Sequence, residues 1–136
     1  MSEAQNKALA QRIVDEILNQ HDLSVINEIF SPDFRSNGRH IGREGFKHAV
    51  AGWVNSFPDF RLTVGPLIAE RDLVGFFYTA RGTHQRKFMG IAPTGRQVEW
   101  TGANFWRIEG GRVVEAWLTT DRQAILHQIQ EPRGTG

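Results

Sequence analysis

The chain has 136 residues, of which 40% are hydrophobic, and this is enough apolar material to fill the core of one domain spanning residues 1–136. Sixteen Lys and Arg residues against fifteen Asp and Glu residues give a formal charge of +1. Because the basic residues are not clustered, nothing indicates a nucleic-acid partner. The absence of cysteine excludes disulfides, thiolate nucleophiles and thiolate metal sites.

The N-terminal segment is polar and lacks the apolar run of about 7–15 residues that a signal peptide needs. No stretch approaches the roughly 18 consecutive apolar residues of a membrane span. We therefore expect a cytoplasmic protein that does not associate with a membrane.

The first part of the chain has the periodicity of helices. Over residues 2–20, Leu9, Ile13 and Ile17 recur at helical spacing, which predicts one amphipathic helix. A short second helix is predicted to start at Asp22.

Pro32 is expected to end that second helix, because proline cannot continue a helix and restricts the residue before it. Residues 34–39 are predicted to be extended. Gly42 opens a third predicted helix, which ends at Phe57.

From residue 60 onward the period changes from helical to two, which is typical of strands. A tight hairpin is predicted at residues 109–112 because Gly110 and Gly111 readily adopt positive φ. Helices followed by an antiparallel meander indicate an α+β fold. The predicted strands begin at residue 60 and then cover 73–83, 98–108 and 113–120, and a closing helix covers 122–130.

Alternation within the strands predicts which side chains face inward. In the third of these strands Trp100, Asn104 and Trp106 share a face, and turning that face outward would bury Glu99 and Arg107. In the second, the same reasoning places Tyr78 and His84 inward. A buried polar group without a partner costs about 1–3 kcal/mol. Asn104 and His84 should therefore bond each other, bond backbone or line one wet cavity.

Two further features suggest a site and a partner. Asp121 precedes the last helix, where an aspartate is more often a helix cap than a catalytic base. The outward sheet face is too apolar to face water comfortably, so we expect a homodimer through that face. Its apolar residues are Phe77, Ala103, Phe105, Val114 and Leu118.

Several motifs together resemble the SnoaL-like polyketide cyclases of the nuclear transport factor 2 (NTF2)-like superfamily. The resemblance runs from about Leu9 to Gln130 and includes Gly-Thr-His at 82–84, Phe-Met-Gly-Ile-Ala-Pro-Thr-Gly at 88–95 and Phe-Trp-Arg-Ile at 105–108. It implies a cone-shaped fold in which N-terminal helices pack on a curved antiparallel sheet around an apolar cavity.

The resemblance also implies chemistry without a cofactor or metal. In these cyclases a carboxylate removes an acidic proton and the carbanion closes a ring by intramolecular aldol addition; the matching residue here is Asp121, with Asn104 and His84 expected to orient the enolate. Apolar walls suit a small apolar substrate. The side chains expected to contact it are Phe34, Asn37, His40, Trp53, Tyr78, Met89, Trp100, Trp106 and Trp117.

The sequence departs from the family at two histidines, whose nearest matches are Asn37, with His40 three residues on, and Asn104. Asparagine donates a hydrogen bond to a developing enolate but cannot relay a proton. His84 and His40 both stay open as the proton donor. Two alternatives also stay open: a cofactor-free hydroxylase or a hydrolase in the same cavity, and a non-catalytic dimer that binds a small ligand.

Overall fold

The computed structural model describes residues 2–131, in which every helix but the last precedes a meander of four strands, and two short strands lie between the second and third α-helices. This order confirms the predicted α+β class. The elements in chain order are α1 (Glu3–Arg12), a π-helical segment that continues it (Ile13–Asn19), α2 (Ser24–Ile29), β1 (Phe30–Ser36), β2 (Arg39–His40), α3 (Gly42–Ser56), β3 (Arg61–Glu70), β4 (Leu73–Thr83), β5 (Gln97–Glu109), β6 (Arg112–Thr120) and α4 (Arg122–Gln130).

The described strands form one six-stranded sheet in the order β2-β1-β6-β5-β4-β3, so the sheet stays open with β2 and β3 at its edges. Every neighbouring pair is antiparallel except β1 and β6, which run parallel. The predicted meander is therefore present as β3 to β6, and the pair β1–β2 extends it at one edge. The sheet is curved, and the helices pack on one of its faces.

The first helix departs from its predicted regular form after residue 12. Over the π-helical segment the backbone N–H of Gln20 donates to the carbonyl oxygen of Asp15, a spacing of five residues. The wider turn keeps Ile13 and Ile17 on the buried side, and both are fully buried. The apolar stripe was therefore predicted correctly, whereas the helix type was not.

Strand β1 begins at Phe30, earlier than the sequence predicted, and it includes Pro32. The strand pairs with β6 at Phe30 and again only from Arg35. Pro32, which has no N–H to donate, thus occupies the irregular stretch of the ladder where no such donor is needed.

The core lies between the helices and the concave face of the sheet. Phe30 stacks on Phe46 with ring centroids 4.3 Å apart, and Phe34 meets both rings edge-on. This aromatic cluster joins β1 to α3 and fixes one wall of the space described below. No helix within residues 2–131 combines the length and the apolar character needed to cross a membrane.

Candidate functional site

An apolar pocket of about 90 Å³ lies between α3 and the concave face of the sheet. Most of its wall is aliphatic or aromatic, and the polar side chains in it are those of Tyr78, Asn104 and Thr120. A cavity of about 10–15 Å³ is enough for one water, so the pocket has room for several waters or a small ligand. A polycyclic molecule would have to extend beyond it.

Strands β4 and β5 present the predicted faces to this pocket. Trp100 and Trp106 are buried and line it, whereas Glu99 and Phe105 lie on the opposite, exposed side. Trp53 of α3 stacks on Trp100 with centroids 5.5 Å apart and forms part of the pocket wall on the helix side.

The Tyr78 hydroxyl lies over a glycine on the neighbouring strand. It sits 3.0 Å from Oγ1 of Thr120 and donates to the carbonyl oxygen of Thr119 at 3.2 Å. Gly102 is the strand partner of Tyr78, and a Cβ at that position would collide with the hydroxyl and with the Thr119 carbonyl oxygen. Burial raises the pKa of Tyr78, so the phenol stays neutral at physiological pH.

Asn104 is the polar group in the pocket wall that the protein leaves unbonded. Its side chain is 8% exposed and makes no hydrogen bond with any of residues 2–131. On the same face, the indole Nε1 of Trp106 is buried without a hydrogen-bond partner. Each such group costs about 1–3 kcal/mol when it is left unpaired. The Asn104 amide is therefore the free group that the wall offers to a polar atom of a ligand.

Asp121 occupies the helix-cap position, outside the pocket wall. Its Oδ1 accepts a hydrogen bond from the backbone N–H of Ala124 at 3.0 Å, and its side chain is exposed. The residue before it, Thr120, lines the pocket. The expected base therefore lies one residue beyond the pocket wall and is exposed to solvent.

His84 is inward-facing and fully buried as predicted, but it does not line the pocket that contains Asn104. Its Nδ1 accepts from the backbone N–H of Thr94 at 3.2 Å and lies 3.0 Å from the Thr94 hydroxyl. Burial lowers the pKa of His84. The contacts with Thr94 hold the loop between β4 and β5 in place. The expectation that His84 and Asn104 line one shared cavity is wrong.

Asn37 and His40 lie at the β1–β2 turn, also outside the pocket wall. The Asn37 amide accepts from the backbone N–H of Leu118 at 2.8 Å and donates to its carbonyl oxygen at 3.1 Å, so both of its groups are used. The His40 side chain is 63% exposed, with Nε2 3.6 Å from Oδ1 of Asp33. The sequence could not show that this turn faces β6 and solvent.

Phe34 and Met89 are likewise separate from the pocket wall. Phe34 is fully buried in the aromatic cluster of the core. Met89 is 55% exposed at the tip of a turn, where its φ is 47° and that of Gly90 is 82°. Met89 instead borders a second, shallow cleft on the outer side of Trp53.

Trp117 was expected to contact the substrate, and this is wrong because β6 contains a β-bulge. Its register with β5 shifts between the pairs Ile108–Val113 and Arg107–Glu115, which inserts one residue and reverses the alternation that follows. Trp117 then lies on the outer face, with Arg107 5.2 Å from its ring centroid.

The same shift brings Leu118 and Thr120 into the pocket wall, so the prediction of Leu118 on the outward face is wrong. The glycine hairpin at residues 109–112 was the sequence signal that could have found them, since hairpin turns with glycine often carry a β-bulge. Within the described part of the chain, no group of three or more His, Cys, Asp or Glu side chains is arranged to hold a metal ion.

A family model described as SnoaL-like polyketide cyclase matches residues 8–129. The chain belongs to the SnoaL-like polyketide cyclase family. Its fold is accordingly the NTF2-like fold that the sequence predicted. No curated protein matches the sequence.

Solved structures of SnoaL-like proteins superpose over almost the whole chain. AclR from Streptomyces galilaeus, a proposed hydroxylase, is 34% identical with a TM-score of 0.86, covering 96% of this chain and 100% of its own. IdmH from Streptomyces antibioticus, a proposed polyketide cyclase, is 32% identical with a TM-score of 0.83, covering 93% and 99%. A proposed SnoaL-like polyketide cyclase from Jannaschia sp. CCS1 is 26% identical with a TM-score of 0.87, covering 96% and 94%.

Proposed function

We propose that the chain is a cofactor-independent cyclase that abstracts a proton next to a carbonyl group of a small, apolar, polyketide-like substrate. The resulting carbanion attacks a second carbonyl carbon of the same molecule and closes a ring. The unbonded amide of Asn104 in a mostly apolar pocket carries this proposal. A site that only stored an apolar ligand would have no use for it.

Asn104 is suited to hold the enolate oxygen. Removing the proton moves negative charge onto the carbonyl oxygen, and an amide N–H in a water-poor pocket stabilises that charge. Donors of this kind are worth about a hundred- to a thousandfold in rate.

Asp121 is the proposed base. The pocket wall contains no carboxylate, histidine or lysine, and Asp121 directly follows the lining residue Thr120. Only its Oδ1 receives a hydrogen bond from residues 2–131, which leaves Oδ2 free to accept a proton at the rim. After ring closure the proton held by Asp121 passes to the new alkoxide, directly or through a water molecule, and the carboxylate is restored.

Substitution of the base tests the proposal. Asp121→Asn keeps the capping bond, since asparagine caps about as well as aspartate, but it removes the proton acceptor. We expect exchange of the acidic α-proton of β-keto esters for deuterium above the buffer rate, with a hundred- to ten-thousandfold loss in the variant. The melting temperature should move little. Full exchange in Asp121→Asn would remove Asp121 from the mechanism.

The similarity to AclR favours one second candidate, a cofactor-free hydroxylase of aromatic polyketides. Such an enzyme consumes dioxygen, whereas ring closure by aldol addition does not. An oxygen electrode during turnover of anthracyclinone-type esters therefore separates the two reactions. Ligand binding with neither exchange nor oxygen uptake would indicate a non-catalytic binding protein.

A further inference from the structure

A second cleft lies on the outer side of the pocket wall. It has a volume of about 270 Å³ and is bordered by Trp53, Phe88 and Met89 together with one charged residue, Arg122. Trp53 lines both this outer cleft and the inner pocket. The two spaces therefore adjoin at Trp53.

Arg122 is held at the cleft by a ring and not by a carboxylate. Its guanidinium carbon lies 5.1 Å from the centroid of the Trp53 ring. Within residues 2–131 it forms no ion pair, and none of its N–H groups donates a hydrogen bond. A cation on the first turn of a helix is also disfavoured by the helix dipole, so local helix energetics do not account for it.

Gly52 keeps the same cleft open. It lies within α3, where glycine costs about 1 kcal/mol relative to alanine. Its φ is ordinary, and a Cβ built there would meet no atom within 4 Å. Neither backbone geometry nor packing requires glycine at this position, and a side chain would project into the cleft that Gly52 borders.

We propose that the outer cleft is a carboxylate subsite, in which Arg122 binds the acid group of a substrate whose apolar part lies in the inner pocket. The planar guanidinium matches a carboxylate with two parallel hydrogen bonds, and contact with an aromatic ring leaves those donors free. The rest of the cleft wall is uncharged, so nothing in it repels an anion. This inference rests on the proposed function only in taking the inner pocket as the substrate site.

Binding of an unreactive pair of ligands tests the subsite. 3-Phenylpropanoate and 3-phenylpropanamide have the same shape and differ in charge, and calorimetry gives their dissociation constants. We expect the acid to bind more tightly than the amide, with an affinity that falls as salt is raised. Arg122→Gln should weaken the acid about tenfold and leave the amide within about twofold. Arg112→Gln, at the distant β5–β6 hairpin, should change neither.

Gly52→Ala gives an independent test because it needs no change of charge. It should raise the melting temperature, since alanine favours the helix, while it weakens binding of the acid. Equal affinity for acid and amide, equal loss of both in Arg122→Gln, or no saturable binding of the acid would each overturn the subsite. Deuterium exchange of neutral β-keto esters is a separate measurement, so the subsite and the proposed reaction can fail independently.

Discussion

Replacing Asn104 with leucine should stabilise the protein while it abolishes activity. Asn104 is 8% exposed and its side chain makes no hydrogen bond within residues 2–131. Folding therefore removes most of the hydration of the amide and supplies no protein hydrogen bond in its place. Such a group costs about 1–3 kcal/mol, and water in the pocket offsets part of that. Leucine has a similar size and removes the cost. A gain of about 1 kcal/mol corresponds to a rise in melting temperature of about 3–5 °C for a chain of this length.

Calorimetric melting of Asn104→Leu should therefore show a higher transition temperature, and deuterium exchange should fall about a hundred- to a thousandfold. Asn19 is the matched control, because its amide accepts from the backbone N–H of Leu62 at 2.7 Å and donates to its carbonyl oxygen at 3.0 Å. Asn19→Leu should lower stability. A fall of similar size in Asn104→Leu would show that Asn104 is a bonded structural residue and would refute the reasoning.

Two further predictions concern stability and assembly. Because burial lowers the pKa of His84 below its ordinary 6.5, the unfolded chain binds the extra proton more readily than the folded chain. The free energy of unfolding should therefore fall as pH drops below about 6.5, and urea titrations from pH 8 to 5 measure this. We also expect a homodimer through the outer sheet face, where Phe77 and Phe105 are 46% and 47% exposed, with Phe77→Lys shifting it to monomer; a 15.4 kDa particle in light scattering of the unaltered chain would contradict the dimer.

Elements with long, regular periods were predictable from the sequence. Strand β4 and helix α4 have the predicted bounds, Leu73–Thr83 and Arg122–Gln130. The inward face of β5 was correct because the opposite choice would bury Glu99 and Arg107. In each case many residues indicate the same answer, so one irregular position does not alter the prediction.

Single-residue irregularities defeated the prediction elsewhere. One extra residue in β6 moved Trp117 to the outer face and Leu118 into the pocket. Side chains of a strand alternate between two faces, so one inserted residue moves every later side chain to the opposite face. Positions that depend on long-range hydrogen bonds also could not be predicted from the sequence. The Asn37 amide, for example, bonds Leu118, which is 81 positions away.

Asp121 caps α4, and this does not exclude the proposed function of the same residue as a base. Its backbone N–H donates to the carbonyl oxygen of Thr101 at 3.0 Å, one residue beyond the last β5–β6 pair, and its Oδ1 caps α4. Both contacts fix the carboxylate where the sheet ends and the helix begins, which is more rigid than a loop. A fixed base loses less entropy when substrate binds. The cap bond therefore supports the proposed catalysis at Oδ2 instead of competing with it, and Asp121→Asn separates the two roles because only the proton acceptor is lost.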